Sequence, residues 1–140
     1  MAFVLDTNVV SEFRKVQAGK GAAEVAEWAA SVARSDLYLS AITVMELEMG
    51  VRLMERRDVA QGALLRRWIT RVVLPEFVAR ILAFDADVAV RAAALHVPDP
   101  KPWRDAAIAA TAMVHGMTVV TRNSRDFKPM GVAVFDPWGS

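Results

Sequence analysis

The sequence predicts an α/β fold in which helices cover both faces of a central parallel sheet, a three-layer α/β/α arrangement with a helical hairpin. Three observations carry this expectation. Short apolar runs recur between longer stretches of helical period, an alternation that suits crossover connections between parallel strands. The first run, Ala2 to Leu5, is apolar at consecutive positions rather than alternate ones, which fits a strand buried on both faces. The 140 residues, 54% of them hydrophobic, provide one substantial core with little left for a second, so a single domain over 1–140 is expected.

The elements follow in order. Asp6-Thr7-Asn8 turns the chain at the end of the first strand, and a short helix is expected from about Val9 to Phe13. After Gly19-Lys20-Gly21, a helix from Ala22 to Ala33 carries Val25, Trp28, Ala29 and Val32 as its apolar stripe. Leu37 to Ser40 reads as the second strand. Val44, Leu47, Val51 and Met54 then keep a helical period, with Ser40 or Thr43 as the cap. A further helix from about Val59 to Val73 places Leu65, Trp68, Ile69 and Val72 on one stripe, and Leu74-Pro75 is expected to end it. Arg80 to Phe84 fits a short strand, and Asp85 fits the cap of a helix from Ala86 to His96. Pro98, Pro100 and Pro102 break the chain before a helix from Trp103 to His115, closed by Gly116. Thr118 to Thr121 and Val132 to Phe135 read as the last strands.

Composition narrows the chemistry. Seventeen Lys and Arg against 16 Asp and Glu leave a formal charge of +1, so any binding of nucleic acid must rest on local charge. Without cysteine, and with only His96 and His115 as imidazoles, disulfides and thiolate metal sites are excluded and a structural zinc has almost no ligands. A hard cation held by oxygen stays open. The N-terminus lacks a basic segment followed by a long apolar one, and the uncharged run Ala106 to Thr121 is too short to span a bilayer. The expectation is a cytoplasmic protein with no membrane segment. A mean hydropathy of +0.26 exceeds what a small core needs, which suggests a partner-facing surface.

Parallel sheets bind ligands beyond the carboxyl ends of their strands, where Asp6, Ser40 and Thr121 fall. Asp6 follows a buried strand, so it requires donors, a basic partner or a metal; turn chemistry is the simpler account of Asp6-Thr7-Asn8. Glu46 has apolar or uncharged neighbours in Thr43, Met45, Leu47 and Gly50, although an acid early in a helix also satisfies the helix dipole. Asp105 opens a helix so rich in alanine that neighbouring elements can pack closely around it, and it too is open to the dipole reading. Three such acids meet the needs of a Mg2+ or Mn2+ site. Carboxylates that repel one another bind a divalent cation, which lowers the pKa of a bound water and stabilises charge on a phosphate. Phosphodiester hydrolysis is the matching chemistry.

The same residues resemble the PIN-domain toxins of bacterial toxin–antitoxin systems, the VapC and FitB-like group. The matching blocks are Leu5-Asp6-Thr7-Asn8, then Ser40-Ala41-Ile42-Thr43-Val44-Met45-Glu46-Leu47, and Asp105 with Ile108-Ala109-Ala110-Thr111-Ala112. Thr121-Arg122-Asn123 with Asp126-Phe127, and the ending Ala133 to Trp138, complete them, so the likeness runs along nearly the whole chain. The resemblance implies a PIN-like domain, an acidic Mg2+ or Mn2+ site, and a metal-dependent endoribonuclease held silent by a cognate antitoxin protein. It implies Asp6, Glu46 and Asp105 as metal-binding acids and Asn8 as a polar residue arranging them. It further implies RNA as substrate, a homodimer, and contact with operator DNA only through the antitoxin complex.

The chain departs from the fuller pattern at Asn123, where many relatives of this kind carry an acid. Asn123 as a neutral catalytic group and Asp126 as the missing carboxylate are the two alternatives, with Asp126 also readable as an ordinary surface acid. Thr121 and Arg122 are supporting candidates, Arg122 either holding a phosphate or forming a salt bridge. Arg14, Lys15, Lys101 and Arg104 lie near the site segments as sources of local positive charge. Trp28 and Trp68 fit core stripes, and Trp103 is a stacking platform only if exposed. Two rivals remain: a noncatalytic partner in an antitoxin complex that binds operator DNA, and a phosphatase using Asp6 as nucleophile, which Asn8 disfavours because such enzymes need a second acid there.

Overall fold

The computed structural model describes residues 1–139. Five parallel strands form one sheet in the order β3-β2-β1-β4-β5: β1 (Phe3–Leu5), β2 (Leu37–Ser40), β3 (Ile81–Leu82), β4 (Thr118–Val120) and β5 (Val134–Phe135). The central strand β1 pairs with β2 through Phe3↔Leu37 and with β4 through Leu5↔Val120. The chain builds outward from β1 on one side, then returns to its other side with β4. The switch point therefore lies between the carboxyl ends of β1 and β4, where Asp6 and Thr121 stand.

Consecutive strand residues feed opposite faces, as a pleated strand requires. Phe3 and Leu5 join one core with Leu37, Leu39 and Val120, while Val4 and Val119 join the other. The first core is covered by α1 (Thr7–Gln17), α3 (Ala41–Arg57) and the segment Ile69–Phe77. The second lies under α7 (Trp103–Val114), whose alanines let the helix sit close to the sheet. Helices on both faces make the expected three layers. At the edge, α2 (Ala23–Ser31) sets Trp28 edge-on to Phe3 at 5.4 Å between ring centroids. On α7, α6 (Ala86–Leu95) packs Val88 and Ala92 against Ala110, and its N-cap Asp85 accepts from the Val88 N–H at 3.0 Å.

The expected hairpin is α3 and α4 (Val59–Trp68). Their crossing is tight at Gly62, where a Cβ would lie 2.6 Å from the Glu55 Cα. Arg66 ties the two helices by bonding Glu48 at 2.6 Å and Glu55 at 3.2 Å. Of the two cap candidates, Ser40 serves, its Oγ accepting from the Ile42 N–H at 3.0 Å.

Three expectations change. Leu74-Pro75 does not end the helix: Ile69–Val73 widens into a π-type turn and α5 (Leu74–Phe77) continues the path. Pro75 falls in the first turn of α5, where a missing N–H is no loss. The first helix is longer at both ends than Val9 to Phe13, because Asp6 caps it and it stops only before Gly19, at a φ of 76°. The loop after Asn123 holds an unexpected single turn, α8 (Ser124–Phe127), anchored by the buried Phe127.

Candidate active site

Asp6 takes its position from the sheet. Its backbone N–H continues the β1–β4 ladder by donating to the Val120 carbonyl at 2.9 Å, so the side chain leaves the sheet at the switch point. Only 6% exposed, it is one of the few buried charges. Oδ1 accepts from the Thr7 N–H at 2.8 Å; Oδ2 accepts from the Thr121 hydroxyl at 2.8 Å and from the Asn8 amide at 3.4 Å. The turn account and the functional account of Asp6 are thus both physical: one oxygen caps α1, and the other faces a polar network.

That network is wider than the acids alone. The Thr121 Oγ1 also accepts from the Asn123 N–H at 2.9 Å, and the Asn8 Oδ1 accepts from the Arg122 N–H at 3.3 Å. These bonds lock the loop after β4 onto the turn after β1. Thr7, absent from the candidates drawn from the sequence, donates its hydroxyl to the Glu46 Oε1 at 2.8 Å. This orients a carboxylate contributed from α3. A threonine directly after the first acid was the available signal, but its partner lies 39 positions away in the chain.

Glu46 is partly buried, and its other oxygen lies 3.8 Å from the Arg104 guanidinium. Asp105, in the first turn of α7, brings the third acid. Burial raises its pKa to about 6, and the charges of Asp6, Asp126 and Glu46 add to the rise. Asp6 is also raised, by burial first, against the lowering pull of its bonds from Thr121 and Thr7, with Asp126 again adding repulsion. The four acids therefore share one electrostatic neighbourhood. Of the two alternatives for the fourth position, Asp126 is the one whose charge reaches Asp6 and Asp105. Asn123 is exposed and contributes its backbone N–H; its side chain makes no hydrogen bond among the described residues.

Other candidates sort differently. Arg122 forms no salt bridge among the described residues; its guanidinium lies over the Trp138 ring, 5.1 Å from the centroid, so that account is corrected to a cation–π contact. Trp103 is exposed, which leaves stacking open to it, and Arg104 lies 5.5 Å from its ring centroid. The His96 Nδ1 accepts from the Lys101 N–H at 3.1 Å and so fastens a loop.

The donor set fits a hard divalent cation. It consists of carboxylate oxygens, partly open to solvent, whose mutual repulsion an added positive charge relieves. Among the described residues, no three acidic or imidazole side chains are drawn together as a finished ligand cluster.

Fold and site together define a class: a three-layer α/β/α domain with acids gathered at the switch point of its parallel sheet. The chain belongs to the PIN domain family, whose profile matches residues 3–132. It is 39% identical over 143 residues to Toxin FitB of Neisseria gonorrhoeae, covering 96% of this chain and 97% of that one. It is 36% identical over 143 residues to VapC ribonuclease Y4jK of Sinorhizobium fredii, covering 96% of each. Among solved structures, FitAcB from Neisseria gonorrhoeae superposes with a TM-score of 0.88 at 37% identity, over 99% of both chains. FitAB bound to an IR36 DNA fragment gives 0.87 at 38% identity, over 99% of this chain and 96% of that one.

Proposed function

We propose that the chain is the toxin of a toxin–antitoxin pair, a PIN-domain endoribonuclease that hydrolyses RNA phosphodiesters with Mg2+ or Mn2+. The observation that supports it most is the placing of Asp6, Glu46, Asp105 and Asp126 around the switch point, near enough that the charges of the other three add to the burial that raises Asp105 to about 6. A purely structural role gives no reason for an arrangement that opposes its own ionisation. In this reading Asp6, Glu46 and Asp105 hold the cation, and Asp126 completes the set rather than Asn123. A bound divalent cation would supply a Lewis acid for the phosphate and lower the pKa of a bound water. Thr7 and Thr121 fix the orientation of Glu46 and Asp6, Asn8 ties the Arg122 backbone to the site, and Arg104 offsets the charge of Glu46.

The preference for RNA over DNA rests on the relatives' names, since none of these residues reads a 2′-hydroxyl. The same kinship supports a cognate antitoxin as partner, with operator DNA reached through that complex, and action in the cytoplasm. No helix among the described residues is long and apolar enough to cross a membrane. A groove of about 780 Å³ between α1, α2 and the turn after α4, lined by Val10, Phe13, Val32, Trp68, Val72 and Phe77, offers such a partner an apolar seat. Leu53, Val59 and Leu64 are exposed on the hairpin and suit a second copy of the chain.

The test is cleavage of RNA by purified, antitoxin-free protein with Mg2+ or Mn2+, beside Asp6→Asn and Glu46→Gln. Loss of cleavage in both variants is expected. Equal cleavage by all three proteins refutes the assignment.

A further inference from the structure

A second, smaller cavity of about 270 Å³ opens directly beside the acids, between α1, α3 and the end of α4. It shares Thr7 and Glu46 with the acidic site. Its character is otherwise opposite to that site. Arg14 and Lys15 line it with positive charge, Trp68 gives it an aromatic wall, and Gly50 leaves part of its α3 side bare. The Arg14 guanidinium lies 5.9 Å from the Trp68 ring centroid. Arg14 has no carboxylate partner among the described residues, while Lys15 reaches Glu12 only at 3.7 Å and stays well exposed. The Trp68 indole N–H is buried without a hydrogen-bond acceptor.

Each of these features suits a nucleotide. A polyanion approaching a cluster of acids is repelled unless cations stand next to the cluster, and a formal charge of +1 supplies no attraction from the molecule as a whole. An aromatic face with a guanidinium beside it is a platform on which any base can stack. The volume lies just below the usual span of small-molecule clefts, about 300–1,000 Å³, and is too small for a helix.

We propose that this cavity is the subsite for the RNA nucleotide next to the cleaved phosphodiester. The base lies against Trp68, and its flanking phosphate is held by Arg14 and Lys15. This assignment deepens the nuclease reading and rests on it only for the identity of the acids as the cleavage centre.

The experiment uses the full chain and a readout independent of cleavage. The Trp68 indole N–H resonance, assigned by its disappearance in Trp68→Phe, is followed by NMR during titration with each of the four nucleoside 5′-monophosphates in the presence of Mg2+. Inorganic phosphate is the control. The expected result is a saturable shift of Trp68 with at least one nucleotide, no matching shift with phosphate, and affinity at least about tenfold weaker in Arg14→Ala.

Gly50→Leu separates binding from folding. A Cβ at Gly50 meets nothing within 4 Å, and leucine is the better helix former, so this variant fills the cavity while keeping the helix. It is expected to lose the nucleotide shift with an unlowered melting temperature. The proposal is overturned if no nucleotide moves Trp68 at millimolar concentration, if phosphate alone moves it equally, or if Gly50→Leu binds normally. A resonance that responds to a protein partner and to no nucleotide also overturns it. If the protein cleaves no RNA but Trp68 still responds to nucleotides, the nuclease reading fails and the cavity stands as a nucleotide site only; cleavage with an unresponsive Trp68 gives the reverse.

Discussion

Replacing Asp105 with asparagine is expected to stabilise the protein while removing its activity. In the fold the carboxyl is raised from 3.8 to about 6, by burial first and then by the charges of Asp6, Asp126 and Glu46. A raised carboxyl pKa means that folding opposes ionisation, so at pH above about 6 the native state bears a cost that is absent below the unfolded value. Roughly two units at about 1.4 kcal/mol each give an upper figure of about 3 kcal/mol. The side chain is only half-buried, and solvent screening reduces this to about 1.5 kcal/mol. Asparagine also gives up the favourable interaction of a first-turn charge with the α7 dipole, about 0.5 kcal/mol.

A net gain of about 1 kcal/mol remains, or a rise in melting temperature of roughly 3 °C for a domain of this size. Thermal unfolding of wild type and Asp105→Asn at pH 7.5, without divalent cations, measures it. The gain should shrink as pH falls from 6 toward 3.8 and vanish below, because wild-type Asp105 is then neutral in both states. Added Mg2+ should raise the wild type more than the variant, since the cation offsets the repulsion that the mutation has already removed. A variant that melts lower than wild type at pH 7.5, or keeps its gain at pH 3, would show that burial and the neighbouring charges do not oppose the ionisation of Asp105 in this way.

Thr121→Val removes the hydroxyl that lowers the Asp6 pKa, so the acid limb of the pH–activity profile should move to higher pH, with activity falling most below neutrality; an unmoved limb contradicts the role given to this bond. Asp126→Asn should weaken the affinity for Mg2+ at least about tenfold by calorimetry, from the loss of one carboxylate near the other acids, whereas Asn123→Ala should change it less than about threefold; the reverse order restores Asn123 as the fourth group. In Gly62→Ala, a Cβ placed 2.6 Å from the Glu55 backbone forces α3 and α4 apart. Chemical denaturation should show a loss of about 1–3 kcal/mol, despite the better helix propensity of alanine; a stabilised variant would mean that the hairpin can slide.

Local chemistry carried most of the fold into the sequence. Consecutive apolar residues in Phe3–Leu5 reveal two-sided burial because both halves of the pleat meet a core, as Val119 and Val120 do in the neighbouring strand. Ser40 and Asp85 mark helix starts because their side chains bond N–H groups two and three residues away. Pro75 misled because one residue type has two meanings: it closes a helix when it falls at the end of one, and is tolerated when a π-type turn resets the count and leaves it in a first turn. Nothing in Ile69–Val73 signals that widening.

The site was legible to the extent that its parts are local. Asp6 declares itself by ending a buried strand, yet its Thr121 bond spans 115 positions and no pattern near either residue announces it. Thr7 and the cavity around Trp68 were hidden for the same reason, since each acquires meaning from a partner on another element, and Arg104 was legible as local positive charge but not as the partner of Glu46. Asn123 poses the opposite problem. By motif position it competes with Asp126 for the fourth place, but the turn of α8 puts the Asp126 charge within reach of Asp6 and Asp105. A charge acts through space and not through alignment. A loop that carries its acid three residues later, on a helical turn that folds back toward the sheet, can meet the same electrostatic need with a different residue.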